Sequence, residues 1–283
     1  MRPLRVLCFV TLSMACSSAG FGQQRPLVTE DPETIGAGRI LVEGGFDVTH
    51  DEQYPASGLS GNLLRLPTIG LSFGLSSIAE LQIDGGLHDR LSISKRNPAA
   101  PLAGLVTATG NTTSDIEDAI IATKIRLVPE GPGRPAIGLR FATKLPNASN
   151  ESGLGLDTMD FSGSILAAKT IESIRVVANI GAAILSDPVL GNHQNDVFTY
   201  GLSVARAVTQ QAELVGEING RISTRSGEAP PGPESRGLLK LGGRFTQRSV
   251  RVDAAIFFGL TSADPTIGMT AGLTYVFNAF KVP

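Results

Sequence analysis

The chain contains no tryptophan, and only 5% of its 283 residues are aromatic. It has two cysteines, Cys8 and Cys16, and none after them. Residues 17–283 therefore carry no thiol, which excludes a disulfide scaffold and any cysteine-ligated metal. Long apolar runs are also missing. After the first 20 residues no stretch of about eighteen uninterrupted apolar residues occurs, so no segment reads as a transmembrane helix. An excess of positive charge is absent too: 24 Lys and Arg face 26 Asp and Glu, net −2, and no nucleic-acid partner is expected. Histidine is limited to His50, His88 and His193. No phosphate loop, dinucleotide motif or zinc spacing occurs, so neither a cofactor nor a metal site is expected.

The first residues, Met1-Arg2-Pro3-Leu4-Arg5, place two positive charges ahead of an apolar stretch from Val6 to Ala15. Small residues follow: Ser17, Ser18, Ala19, Gly20 and Gly22. This order is that of a secretory signal too short to span a bilayer. A cut after Gly22 is expected, with Ala19 as the alternative. That assigns residues 1–22 to a signal peptide and 23–283 to a single domain. Cys16 raises a lipoprotein reading, but Leu12 lies four residues upstream, one too far for a lipobox. Removing Arg2 and Arg5 leaves 22 basic and 26 acidic residues, a net charge near −4.

What the chain does have is period-two alternation. Ala79, Leu81, Ile83, Gly85 and Leu87 alternate with Glu80, Gln82, Asp84, Gly86 and His88. Leu214, Gly216, Ile218 and Ile222 oppose Glu213, Glu217, Asn219 and Arg221. Successive side chains of a strand point to opposite faces, so each run has one apolar and one polar face. Twelve such runs are expected, near 38–49, 61–75, 78–90, 115–128, 134–145, 157–169, 173–185, 196–207, 210–223, 236–246, 249–260 and 266–278. The joints alternate between long polar loops, such as 50–60 and 91–114, and tight turns, such as 75–78 and 246–249. That rhythm predicts an all-β fold: a transmembrane antiparallel up-and-down β-barrel of about 12 strands in an outer membrane. A closed barrel gives every backbone N–H and C=O a partner inside hydrocarbon. A soluble antiparallel sandwich shares the alternation but does not require alternating loop lengths. The expected partners are outer-membrane lipid, a small-molecule solute, and the barrel-assembly machinery during insertion.

The candidate functional residues are those predicted to face the lumen: Glu80, Asp84, Lys124, Arg126, Arg140, Lys144, Glu213, Glu217, Arg221, Lys240 and Arg244. Gln82, Arg251 and Asp253 share that face. Clustered like charges would make a filter for solutes, whereas mixed pairs would seal the lumen. Other chemistry finds little support. Gly70-Leu71-Ser72-Phe73-Gly74 matches G-x-S-x-G, but it lies inside a strand run with no helix after it, which the nucleophile elbow needs. His50, Asp51, Glu52 and His193 fall in expected loops, where such residues are ordinarily just solvated. No enzyme is expected.

With the strands laid out, the chain resembles an outer-membrane barrel family named for the meta-pathway of phenol degradation. The resemblance is carried by Pro26-Leu27-Val28-Thr29-Glu30-Asp31-Pro32-Glu33-Thr34 with Gly36 and Gly38, and by Asp115-Ile116-Glu117-Asp118. Leu145-Pro146, Ala178-Asn179-Ile180-Gly181, Glu217-Ile218-Asn219-Gly220 and Gly272-Leu273-Thr274-Tyr275-Val276-Phe277 follow in order. The chain departs from such barrels by continuing past Phe277 to Pro283. The resemblance implies passage of small, often apolar or aromatic compounds.

Overall fold

The computed structural model describes residues 25–190, 193–226 and 231–281. The reading of residues 1–22 as an export signal lies outside the described residues. Fourteen strands follow: β1 (Arg39–Tyr54), β2 (Leu59–Gly74), β3 (Ala79–Gly86), β4 (Asp89–Arg96), β5 (Thr112–Asp115), β6 (Ile120–Val128), β7 (Ala136–Lys144), β8 (Asp160–Ile171), β9 (Ile174–Ser186), β10 (Gln194–Ala207), β11 (Ala212–Ser223), β12 (Arg236–Gln247), β13 (Val250–Gly259) and β14 (Ile267–Asn278). The strands pair antiparallel, and β1 pairs with both β2 and β14. The sheet thus closes on itself as a ring of 12 strands, with β4 and β5 outside it.

The two additional strands correct the expected runs 78–90 and 115–128, and the physical reason lies in β2. Its first half, Leu59–Arg65, pairs with β4, and its second half, Thr68–Gly74, pairs with β3. Pro67 stands between the halves and has no N–H to give the ladder. Opposite it the partner path bends at Leu87 and His88, where the Leu87 N–H donates to the Pro67 carbonyl. β3 with β4, and β5 with β6, are each one path broken at the level where the ring ends. Two loops also change length. The expected long loop 50–60 shrinks to the four residues between Tyr54 and Leu59, and 91–114 contracts to the stretch between Arg96 and Thr112.

Which face of the sheet carries which residues settles the environment. Ile165, Ile180, Leu202, Leu214, Leu241 and Leu273 are exposed on the outside, whereas Glu80, Gln82, Lys124 and Glu217 are buried inside. A water-soluble protein buries the first kind and exposes the second. The inversion is that of a barrel covered by lipid, and it removes the soluble-sandwich alternative. Tyr275 and Phe277 stack at 5.5 Å near the end of β14, at the level of the tight turns. At the opposite, loop-bearing end, Leu59, Leu63 and Leu91 form a small apolar core, covered by Tyr54, Ile93, Val106 and Leu154. The ordered loops at that end therefore pack on the β2–β4 arm.

Candidate functional site

The inner wall does not face an empty bore. Residues 25–38, ahead of β1, run along it and touch strands around the whole ring. Leaving β1 backwards, the Gly38 N–H donates to the Gly74 carbonyl of β2 at 2.8 Å. The Ile35 N–H donates to Glu80 of β3 at 2.8 Å. Glu33 pairs with Arg126 of β6, and Asp31 with Arg175 of β9. Pro32 lies against Gly138 of β7, where a Cβ would stand 3.0 Å from the proline ring. At Glu30 the backbone is held by a side-chain amide: its N–H donates to Asn179 Oδ1 at 2.6 Å, and Asn179 Nδ2 donates to its carbonyl at 2.8 Å. The N–H groups of Val28 and Thr29 both donate to the Glu217 carboxylate on β11. Leu27 is buried with Ala205 of β10 and Val215 of β11. The Pro26 carbonyl accepts from Lys240 Nζ of β12 at 2.8 Å. Arg25 completes the circuit between β13, β14, β1 and β2. An extended segment has no internal hydrogen bonds of its own, so buried strand side chains must supply the partners its backbone needs.

Each of the eleven sequence-predicted lumen residues has a hydrogen-bond or ion-pair partner, and some share one. Lys124 Nζ lies 2.9 Å from Glu80 and 3.3 Å from Glu30, with all three side chains buried. Arg140 reaches Glu30 at 2.9 Å and, more distantly, Asp84 at 3.7 Å. Lys144 sits between Asp118 at 2.9 Å and Asp160 at 3.2 Å. Arg244 bonds Glu213 at 2.6 Å. Arg221 turns towards the loop and meets Glu234 at 3.6 Å. Lys240 also lies over the Phe257 ring, 5.6 Å from its centre, within cation–π range. Like charges are therefore not segregated. The wall is a set of mixed pairs, and Glu30, Asp31 and Glu33 of the leading segment supply many of the carboxylates.

The space left over forms several cavities. One of about 730 Å³ lies above the segment, bordered by Val28, Arg140, Asn179, Tyr200, Phe257 and Lys240. A second, of about 360 Å³, adjoins it beside Arg25, Glu43, Asp47 and Asp84. A third, of about 220 Å³, opens among the loops, where Tyr54, Leu154, Leu156 and Leu185 face Arg65 and Arg236. The larger two fall in the size range of small-molecule sites.

Alternation along the strands does not reveal the leading segment as part of the site, and Pro26–Thr34 carries the family resemblance alone. A usable signal was present: three carboxylates in four residues, Glu30, Asp31 and Glu33, ahead of strands whose polar faces carry Lys and Arg. Ser72 lies within β2, in line with the absence of a following helix. His50, Asp51 and Glu52 lie in β1 rather than in a loop: His50 bonds Asn62 at 2.7 Å, and Glu52 is buried and reaches Arg236 at 3.7 Å. Among the described residues no three His, Cys, Asp or Glu side chains gather as a metal ion would need.

No protein-family model matches the chain, and no curated protein matches it. Solved structures do match. An outer membrane channel from Pseudomonas putida F1 superposes with a TM-score of 0.63 at 13% identity, covering 87% of this chain and 98% of that one. The translocator domain of the autotransporter NalP from Neisseria meningitidis superposes with a TM-score of 0.50 at 13% identity, covering 86% and 89%. At these identities the likeness is one of fold: an outer-membrane-type β-barrel.

Proposed function

We propose that the protein is an outer-membrane channel that admits small solutes, apolar or aromatic compounds among them. The observation that carries this reading is the polar inner wall, which encloses cavities of about 730 and 360 Å³ within a lipid-coated ring. The fold shared with an outer membrane channel supports it. The resemblance in Pro26–Thr34 to the phenol meta-pathway family supports the solute class. Export through a cleaved leader, residues 1–22, and insertion by the barrel-assembly machinery belong to the same proposal.

A second reading has an observation of its own. The mixed pairing of wall charges and the leading segment across the lumen favour a barrel sealed to ions, serving as a structural or surface-interaction element. The two readings separate in planar bilayers and in cells. A channel gives discrete conductance steps, and its deletion slows growth on an apolar aromatic carbon source. A sealed barrel does neither.

A further inference from the structure

Arg25 occupies a slot built for it. Its side chain lies against Gly45 of β1 and Gly272 of β14, two inward positions with no side chain. At Gly272 an added Cβ would stand 2.7 Å from the guanidinium carbon, and its three nearest atoms would all belong to Arg25. The guanidinium donates to Thr68 Oγ1 at 3.2 Å and to Thr270 Oγ1 at 3.0 Å. Its Nε stands 3.5 Å from Asp253, whose side chain is fully buried.

The fit is incomplete in an informative way. Neither carboxylate oxygen of Asp253, nor Arg25 Nε, has a hydrogen-bond partner among the described residues. A buried carboxylate with unfilled acceptors is costly unless a cation compensates it. Beside the slot, Glu43, Asp47 and Asp84 border the adjoining cavity of about 360 Å³. The Asp47 carboxylate has no hydrogen bond, and no cation within 4 Å, among the described residues. Six carboxylates border this chamber against three cations, Arg25, Arg140 and Lys240.

We propose that the slot between Gly45, Gly272, Thr68, Thr270 and Asp253 is a binding subsite for a guanidinium or similar planar cation, held in this structure by the chain's own Arg25. The leading segment is then a tethered competitor for it. The subsite's place on a solute's route rests on the channel reading; its capacity to bind a guanidinium does not.

Chemical rescue tests the binding directly. Full-length Arg25→Ala is refolded in detergent and its thermal transition followed with millimolar methylguanidinium, with tetramethylammonium as a non-planar control. A saturable rise in the transition temperature with methylguanidinium alone, absent from the wild type, is expected. Loss of that rise in Arg25→Ala/Gly272→Ala, where the new methyl fills the slot, is expected too. No rise in Arg25→Ala, or an equal rise with both cations or in the wild type, overturns the proposal. Should Arg25→Ala fail to fold, Gly272→Ala alone provides the test. Displacing Arg25 should then raise the sensitivity of residues 25–38 to protease, and unchanged protection overturns the slot. In planar bilayers Arg25→Ala should prefer cations at least twofold more than the wild type, and methylguanidinium should block it. Absence of conductance in both proteins, with rescue intact, counts against the channel reading and leaves the binding site standing.

Discussion

Lys124 is fully buried between two carboxylates, and its removal would leave Glu80 and Glu30 facing each other without a cation. Breaking a buried ionic group by deleting one partner costs about 3–5 kcal/mol. Lys124→Met should therefore destabilise the folded barrel by that order, measured as a lowered unfolding midpoint in detergent. A change near zero would mean that the pair is held apart by water rather than by Lys124. Glu217 serves a different purpose, because its carboxylate accepts from the backbone of Val28 and Thr29 rather than from a cation. Glu217→Gln puts an NH2 group where an acceptor is needed. The expected cost is about 1–3 kcal/mol, read out as faster proteolysis of residues 25–38 in a barrel that still folds. Glu213, four residues earlier on the same face, bonds Arg244 and has no hydrogen bond or ion pair with residues 25–38 among the described residues. Its replacement should leave that proteolysis unchanged. The two glutamates looked equivalent in the sequence, and only their partners separate them.

At the scale of the strand, depth decides the cost of a charge. Ile218 and Ile222 both point outward from β11, the first near mid-strand and the second close to the loop end. Arg at the bilayer midplane of such a barrel costs about 2–4 kcal/mol and near the interface about 0–1. Ile218→Arg should accordingly lower refolding stability in phospholipid vesicles much more than Ile222→Arg, and equal effects would misplace the membrane on the strand. The turns carry a pH dependence. Glu130, in the turn between β6 and β7, is bonded by the Thr170 N–H at 2.8 Å, by Arg175 and by Lys169. Partial burial is the largest single influence and raises its pKa, but these donors together outweigh it and hold the carboxyl below the ordinary glutamate value. A carboxylate with a lowered folded pKa stabilises the fold above its unfolded pKa, and that stability is lost as pH falls through the folded value. The stability gap between wild type and Glu130→Gln should therefore be full at neutral pH. It should close on acidification below about 4.3, the ordinary glutamate value, as followed by pH-resolved unfolding. A gap that is constant with pH would mean that the turn does not depend on the charge.

At the scale of the whole molecule, closure is the property that matters. The β1–β14 ladder runs from Arg39–Asn278 to His50–Ile267 and leaves the ring no unpaired edge. Such a barrel resists detergent because its backbone is hydrogen-bonded throughout. Unboiled protein should migrate faster than boiled protein on a gel, and identical mobility would be incompatible with a closed ring. The leading segment adds a second kind of closure. By bonding to strands around the circuit, it ties the barrel across its lumen as well as along its seam. Deleting residues 25–36 should therefore lower the temperature at which the fast-migrating form is lost, while the form itself persists.

Much of this architecture is written in the local pattern. Alternation along Ala79–Leu87 or Leu214–Ile222 assigns faces, because the pleat of a strand sends neighbours to opposite sides whatever the rest of the chain does. The alternation of tight and long joints predicts an even ring for the same local reason. Three things were not legible in that pattern. The break at Pro67, which turns two long runs into β3 with β4 and β5 with β6, depends on which half of β2 each partner meets. The pairing of charges depends on register and loop path, so Arg221 meets Glu234 beyond the end of its own strand. The path of residues 25–38 left no periodic trace, because an extended segment bonded to side chains has no pattern of its own. Its contacts reach as far as Arg25 to Thr270, 245 residues apart. Sequence determined the strands, their faces and the lipid-facing exterior, since these follow from neighbours along the chain. Only the tertiary structure decided what fills the barrel, since that depends on which distant side chains the closed ring brings within reach of one another.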